Sequence, residues 1–308
     1  MKSIEWRGQR LAKLCLGTVQ FGLNYGVSNK NGQTSLAESK AILDFVFSEG
    51  INCLDTAQSY GDSEKVIGKY FAGTQVEEKF IISKMSSAKF TGGYTQVCNS
   101  VQESLNHLNV PNLFAVLLHD SDLLLRWEES TTQIVSRLKA TKKIKYFGVS
   151  IYNEKEYSLA VENSEIDIIQ IPFNLFDHRA LKNQWFERAH SANKLIVVRS
   201  MFLQGLLLMQ KEALPGNLQH AERYLTPMDE ICKEFGHSRQ ELTMNYVDSL
   251  APQSLLLFGC ETLSQARENV TYFKNLKPLG AEILEDIDIT FSDIGEKIYN
   301  PTMWDQNV

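Results

Sequence analysis

Residues 51–61 read Ile-Asn-Cys-Leu-Asp-Thr-Ala-Gln-Ser-Tyr-Gly. A short apolar run stops at an acid, and a polar loop holding a tyrosine follows. The apolar half of this pattern recurs at 14–17, 51–54, 80–83, 113–118, 145–149, 167–171, 195–198 and 254–258. These runs are continuous rather than alternating, as expected of parallel strands covered on both faces. Amphipathic patterns between them predict helices over 35–49, 94–108, 127–141, 154–162 and 263–273. Most strand-to-strand steps are about 20–40 residues, the length of one βα unit. The step from the seventh strand to the eighth is longer, and 206–239, with Pro215-Gly216 and then a helical pattern, reads as an inserted loop and helix. Eight such units predict one closed (β/α)8 barrel of the TIM type spanning 1–308 as a single domain, with a C-terminal tail over its rim.

Composition narrows the class. With 43% apolar and 22% charged residues over 308 positions, the chain can build a large core, and no run approaches the roughly 18 apolar residues of a membrane span. A net charge of −6 without a basic stripe excludes nucleic acid as a partner. Cys15, Cys53, Cys98, Cys232 and Cys260 are odd in number and lack C-x-x-C spacing, so they read as reduced, mostly buried thiols. The opening Met-Lys-Ser-Ile-Glu-Trp-Arg has no apolar h-region, and the expected location is the cytoplasm. His107, His178, His190, His220 and His237 have no metal-ligand spacing, and no metal is expected.

Barrel enzymes place their chemistry at the C-terminal ends of strands. Asp55 ends the second predicted strand, Tyr60 lies in the loop after it, Lys84 ends the third and His119 the fourth. Singly, Asp55 suits a turn cap, Lys84 a solvated strand end and His119 the start of a loop. Jointly they form an acid–base set: Lys84 would lower the pKa of the Tyr60 phenol, Asp55 would keep Lys84 charged, and His119 would donate to an oxygen gaining negative charge. Neither G-x-G-x-x-G nor a P-loop occurs, so a dinucleotide would be held in another way.

The chain resembles the aldo-keto reductase family in Leu-Gly-Thr at 16–18 with Phe21-Gly22, Asp-Thr-Ala-x-x-Tyr-Gly at 55–61, Ser-Lys at 83–84, Leu-His at 118–119, Gly-Val-Ser at 148–150, Gln-x-Pro-Phe-Asn at 170–174, Gln-Gly-Leu-Leu at 204–207 and Glu-Asn at 268–269. The resemblance implies a (β/α)8 barrel using NADP(H) or NAD(H), a small carbonyl or alcohol substrate, and Asp55, Tyr60, Lys84 and His119 as catalytic residues. It also implies cofactor contacts from Thr18 and Asp55 at the nicotinamide ribose, Ser150 and Gln170 at the carboxamide, and Gln265, Glu268 and Asn269 at the adenosine end. Arg199, Gln204, Gly205, Gly259 and Thr262 are expected on the same surface.

Three departures stand out. Ile151 occupies a position where many members have Asn, Arg199 one where many have an aromatic residue, and Gly259-Cys260-Glu261 a turn that commonly carries basic residues for a 2′-phosphate. The last predicts weaker discrimination for NADPH, or a preference for NADH, with Arg267 as the nearest cation able to compensate. The opening Leu-Gly-Thr-Val-Gln-Phe-Gly-x-x-Tyr-Gly at 16–26 is similar to bacterial members that act on sugar-derived compounds. Tyr299, Met303 and Trp304 in the tail either cover the pocket or pack on the barrel. Two other readings share this rim: a Schiff-base lyase using Lys84, which Asp55 disfavours by keeping that lysine protonated, and a nucleotide-sensing subunit that binds a partner protein.

Overall fold

The computed structural model describes residues 1–304. A hairpin of β1 (Ser3–Trp6) and β2 (Gln9–Ala12) precedes β3 (Leu14–Gly17), β4 (Cys53–Asp55), β5 (Phe80–Met85), β6 (Leu113–Leu118), β7 (Ile144–Ser150), β8 (Ile168–Pro172), β9 (Leu195–Arg199) and β10 (Ser254–Phe258). Among the described residues the last eight form a closed parallel barrel, β10-β3-β4-β5-β6-β7-β8-β9, sealed where Leu256 pairs with Leu14.

Each predicted barrel strand is present. β4, β5, β7 and β9 run past the end of their apolar runs into Asp55, Lys84, Ser150 and Arg199. The reason is the backbone: Asp55 still pairs with Ile82, Lys84 with Leu117, Ser150 with Gln170 and Arg199 with Pro172. Polar side chains at the mouth therefore stand on hydrogen-bonded strands, which hold them more rigidly than loops would.

Two apolar layers explain the continuous runs. Leu14, Leu16, Leu54, Ile81 and Val116 face the surrounding helices, whereas Cys15, Cys53, Ile82, Leu117 and Val197 fill the interior. The N-terminal hairpin closes the bottom. Its turn, Arg7-Gly8, has φ of 45° and 72°, the left-handed pair that tight hairpins require. Trp6 packs at 4.6 Å from the Tyr146 ring and 6.4 Å from Phe114, and Arg7 donates to Asp167 at 2.6 Å.

Between β9 and β10 lie short 3-10 turns, then helices Glu222–Phe235 and Arg239–Leu250. The expected insertion is thus a chain of turns followed by one helix, before the helix that leads into β10. In the tail, Pro301 and Thr302 reach the mouth of the barrel. Trp304 instead donates to the carbonyls of Lys297 and Ile298, and Tyr299 lies under the Arg179 guanidinium. The aromatics of the tail pack on the protein, and its Pro-Thr step meets the pocket.

Candidate active site

At the C-terminal mouth, Lys84 and Asp55 are both buried, at 1% and 3% exposure. Lys84 Nζ donates to Asp55 Oδ1, to the Thr56 carbonyl at 3.1 Å and to Tyr60 Oη at 3.3 Å. All three ammonium protons are thereby used. Gln170 Nε2 donates to the other Asp55 oxygen at 2.9 Å. Burial pulls the Lys84 pKa down, but the Asp55 charge, the Tyr60 oxygen and their hydrogen bonds together outweigh it and hold the pKa above its ordinary value.

Tyr60 departs from expectation. Burial raises its phenol more than Lys84 lowers it, so the hydroxyl sits above the usual value of 10. Desolvation disfavours the phenolate, and Asp55 offsets part of the ammonium's influence. Lys84 therefore moderates a buried phenol and does not make it an anion. His119 is driven to about 4, first by burial and then by Lys84, and its imidazole is neutral at pH 7. Its Nδ1 lies 2.8 Å from Ser59 Oγ, and its ring meets Tyr60 edge-on at 5.5 Å.

The Tyr60 loop is set by contact with the first barrel unit. A Cβ on Gly22 would fall 1.7 Å from the Tyr60 carbonyl oxygen, so only glycine allows the Phe21-Gly22 segment to touch this turn. Thr18 strengthens the same junction. Its N–H and hydroxyl both donate to the Asp55 carbonyl, at 3.0 and 2.9 Å, and it accepts from Ser63 at 2.9 Å. Ser59, Ser63 and Gly22 were not among the expected functional residues, and the proximity of Ser59 and Ser63 to Tyr60 in the chain is the one sequence signal that marks them.

These groups line one cavity of about 700 Å³, within the range of small-molecule clefts. Thr18, Asp55, Tyr60, His119, Ser150, Gln170, Arg199, Gln204, Gly205, Gly259, Gln265, Glu268 and Asn269 all border it. Thr262 caps the helix Leu263–Asn275 by accepting from the Gln265 N–H at 3.2 Å and does not border the cavity. Arg267 is turned away, with its guanidinium over the Phe45 ring at 4.8 Å. The Asn269 side chain accepts from Gln240 at 2.8 Å, and Gln265 Oε1 accepts from the Glu261 N–H at 2.7 Å.

Arg199 does not meet an acid. It donates to Ser150 Oγ at 3.3 Å, to Ser200 Oγ at 3.3 Å and to the Ile151 carbonyl at 3.2 Å, and it stacks on Tyr152 at 4.2 Å. The Ile151 side chain is wholly buried, so that position offers the cavity only its backbone. Over the top of β10, Val27 N–H donates to the Gln204 carbonyl at 3.0 Å. Gly205, at φ 92°, lies so close that a Cβ would fall 1.9 Å from Ser28 Oγ. The Gln-Gly step is therefore the contact that joins the loop after β3 to the segment after β9.

The residues present suit a dinucleotide. Ser150 accepts from Arg199 and keeps its own proton to donate, while Gln170, whose amide N–H is spent on Asp55, keeps its carbonyl to accept. A donor beside an acceptor matches a carboxamide. Farther along the wall, Gln20 Oε1 is buried without a hydrogen-bond partner, an acceptor suited to a ligand hydroxyl.

A sequence model of the aldo/keto reductase family matches residues 13–290. Norsolorinic acid reductase of Aspergillus flavus is 30% identical over 162 residues, covering 46% of this chain but only 40% of that protein's length. L-galactose dehydrogenase of Arabidopsis thaliana is 23% identical over 299 residues, 92% of each chain. Among solved structures, the holo form of aldo-keto reductase AKR11C1 from Bacillus halodurans superposes with a TM-score of 0.77 at 21% identity, covering 97% of this chain and 100% of that one.

Proposed function

This chain belongs to the aldo-keto reductase family, and from that premise we propose that it is an NAD(P)(H)-dependent oxidoreductase acting on an aldehyde or ketone, or on the corresponding alcohol. The observation that carries this reading is the position of Lys84 Nζ between the Asp55 carboxylate and the Tyr60 hydroxyl at the cavity wall. When bound, the nicotinamide supplies or accepts the hydride.

The chain's own residues manage the proton. Tyr60 is the general acid in reduction: burial keeps its hydroxyl protonated at neutral pH, and the adjacent ammonium stabilises the phenolate once the proton has gone to the carbonyl oxygen. Lys84 keeps its charge because Asp55 faces it. With Ser59 donating to Nδ1, the neutral His119 carries its proton on Nε2 and donates to the same oxygen as charge develops there. In the opposite direction the Tyr60 phenolate takes the alcohol proton.

Ser150 and Gln170 would hold the carboxamide, Thr18 the junction beneath it, and Gln204, Gly205, Gly259, Gln265, Glu268 and Asn269 the remaining wall, with Thr262 orienting the helix behind them. We read NADH as the better ligand. Glu261 and Glu268 border the cavity, Gln20 Oε1 is a free acceptor and Arg267 lies on Phe45, so this end suits ribose hydroxyls better than a phosphate dianion. A sugar-derived substrate fits the polar mouth and the likeness to a protein named L-galactose dehydrogenase. The cytoplasm suits its five free thiols.

The test is absorbance-monitored oxidation of NADH and NADPH against aldehydes, ketoses and sugar aldehydes. Tyr60→Phe should lower turnover by roughly 10²-fold or more while cofactor binding persists. Absence of turnover with both cofactors, or a Tyr60→Phe variant with normal kcat, would overturn the reading.

A further inference from the structure

Four arginines of this protein are partly buried: Arg179, Arg188, Arg199 and Arg239. Three grip a carboxylate at 2.6–2.7 Å, namely Asp177, Glu154 and Asp229. Arg199 does not. Among the described residues no acid lies within ion-pair distance of it, and its three hydrogen bonds run to neutral oxygens at 3.2–3.3 Å. The Asp55 carboxylate in the same cavity is already engaged at both oxygens, by Lys84 and Gln170.

A guanidinium withdrawn from water is normally paired with an anion, because desolvation is otherwise uncompensated. Its planar fork suits a carboxylate or phosphate, and stacking on Tyr152 fixes the plane of that fork. Arg199 is also the one Lys or Arg that borders this cavity. Its charge is felt at both Tyr60 and His119, so an anion held on it lies beside the proton donor and not at the far end of the cleft.

Resting on the oxidoreductase reading above, we propose that Arg199 is a specificity residue whose missing counter-ion is a carboxylate or phosphate carried by the substrate itself: the enzyme acts on an acidic aldehyde, ketone or alcohol. A compact acid with its carbonyl a few bonds from the anion would reach Tyr60 and Arg199 together. Acidic sugars and short oxo-acids have this form.

Matched probes test the idea in the full-length protein: succinic semialdehyde against butanal, and glucuronate against glucose. Wild type should prefer the acid of each pair, and Arg199→Leu should reduce the acid-to-neutral ratio of kcat/KM by roughly 10- to 100-fold, the scale of one or two charge-assisted hydrogen bonds. Arg199→Lys should keep part of the preference, and Arg199→Gln guards against loss of the local hydrogen bonds. A ratio unchanged by Arg199→Leu overturns the proposal while leaving the oxidoreductase reading intact. A ratio unchanged alongside a tenfold weaker Kd for NADH assigns the anion to the cofactor and likewise overturns it. If no aldehyde is turned over, the oxidoreductase reading fails, and calorimetry with unreactive succinate and succinamide decides the anion site. Binding of succinate that Arg199→Leu abolishes supports the site, and equal binding to both proteins overturns it.

Discussion

Gln170 on β8 donates to Asp55 on β4 across the mouth of the barrel, at 2.9 Å. With Lys84 on the other oxygen, a buried carboxylate has both acceptor sites answered from different strands. Removing one member of a buried ion pair leaves the other uncompensated, at a cost of about 3–5 kcal/mol. Lys84→Met and Asp55→Asn should each lower stability on that scale, and the double variant should lose clearly less than their sum. Denaturant unfolding of the four proteins measures the coupling, and strict additivity would show that the pair does not act as a unit.

Gly22 touches the carbonyl of Tyr60, so a methyl group there must move the catalytic loop. Gly22→Ala is expected to lower kcat by 10-fold or more, with a smaller effect on the Kd for NADH, which is read from fluorescence quenching. Normal turnover in this variant would mean that the loop relaxes without carrying the phenol with it.

His119 titrates near 4 in the folded protein, against an ordinary value of 6.5. Between these values the unfolded chain binds the extra proton and the folded chain does not, so stability rises with pH across pH 4–6.5 and falls as pH is lowered through that window. His119→Gln should flatten the dependence of Tm on pH there. Turnover in the reduction direction should persist from pH 7 down towards 4, where the imidazole gains its proton and Lys84 acquires a second cation beside it. A kinetic pKa near 6.5 assigned to His119 would contradict this burial.

The cofactor preference can be read directly from Kd values for NADH and NADPH at fixed ionic strength. NADH should bind at least as tightly as NADPH. Arg267→Ala should leave the ratio unchanged, since that side chain rests on Phe45. NADPH binding more than about 100-fold tighter, a difference of roughly 2.7 kcal/mol, would require a phosphate site elsewhere on the wall.

The barrel strands were legible because parallel strands buried on both faces leave unbroken apolar runs, and the acid–base residues because each polar group stood at the end of such a run. The hairpin at Ser3–Ala12 was less so: its alternation spans only four residues per strand, and its turn depends on a left-handed Arg7 that composition does not announce. The pKa of Tyr60 was misjudged in sign, because the influence of Lys84 can be inferred from proximity in the pattern whereas the opposing desolvation depends on how the folded rim encloses the ring. Arg199 stood out as a departure, but its stacking on Tyr152 and its want of an acid exist only in three dimensions.

The pairing of Leu256 with Leu14 means that the first barrel strand waits for the last. Thr18 and Gly259 sit just beyond that seam, so one wall of the cavity is assembled from opposite ends of the polypeptide. Local βα units can form early, but the ligand cleft is a late product of folding, completed only by a contact of very high sequence separation. During synthesis a nascent chain that has not yet emitted β10 has its catalytic side chains in hand and nowhere to hold a dinucleotide, which couples the onset of binding to completion of the ring.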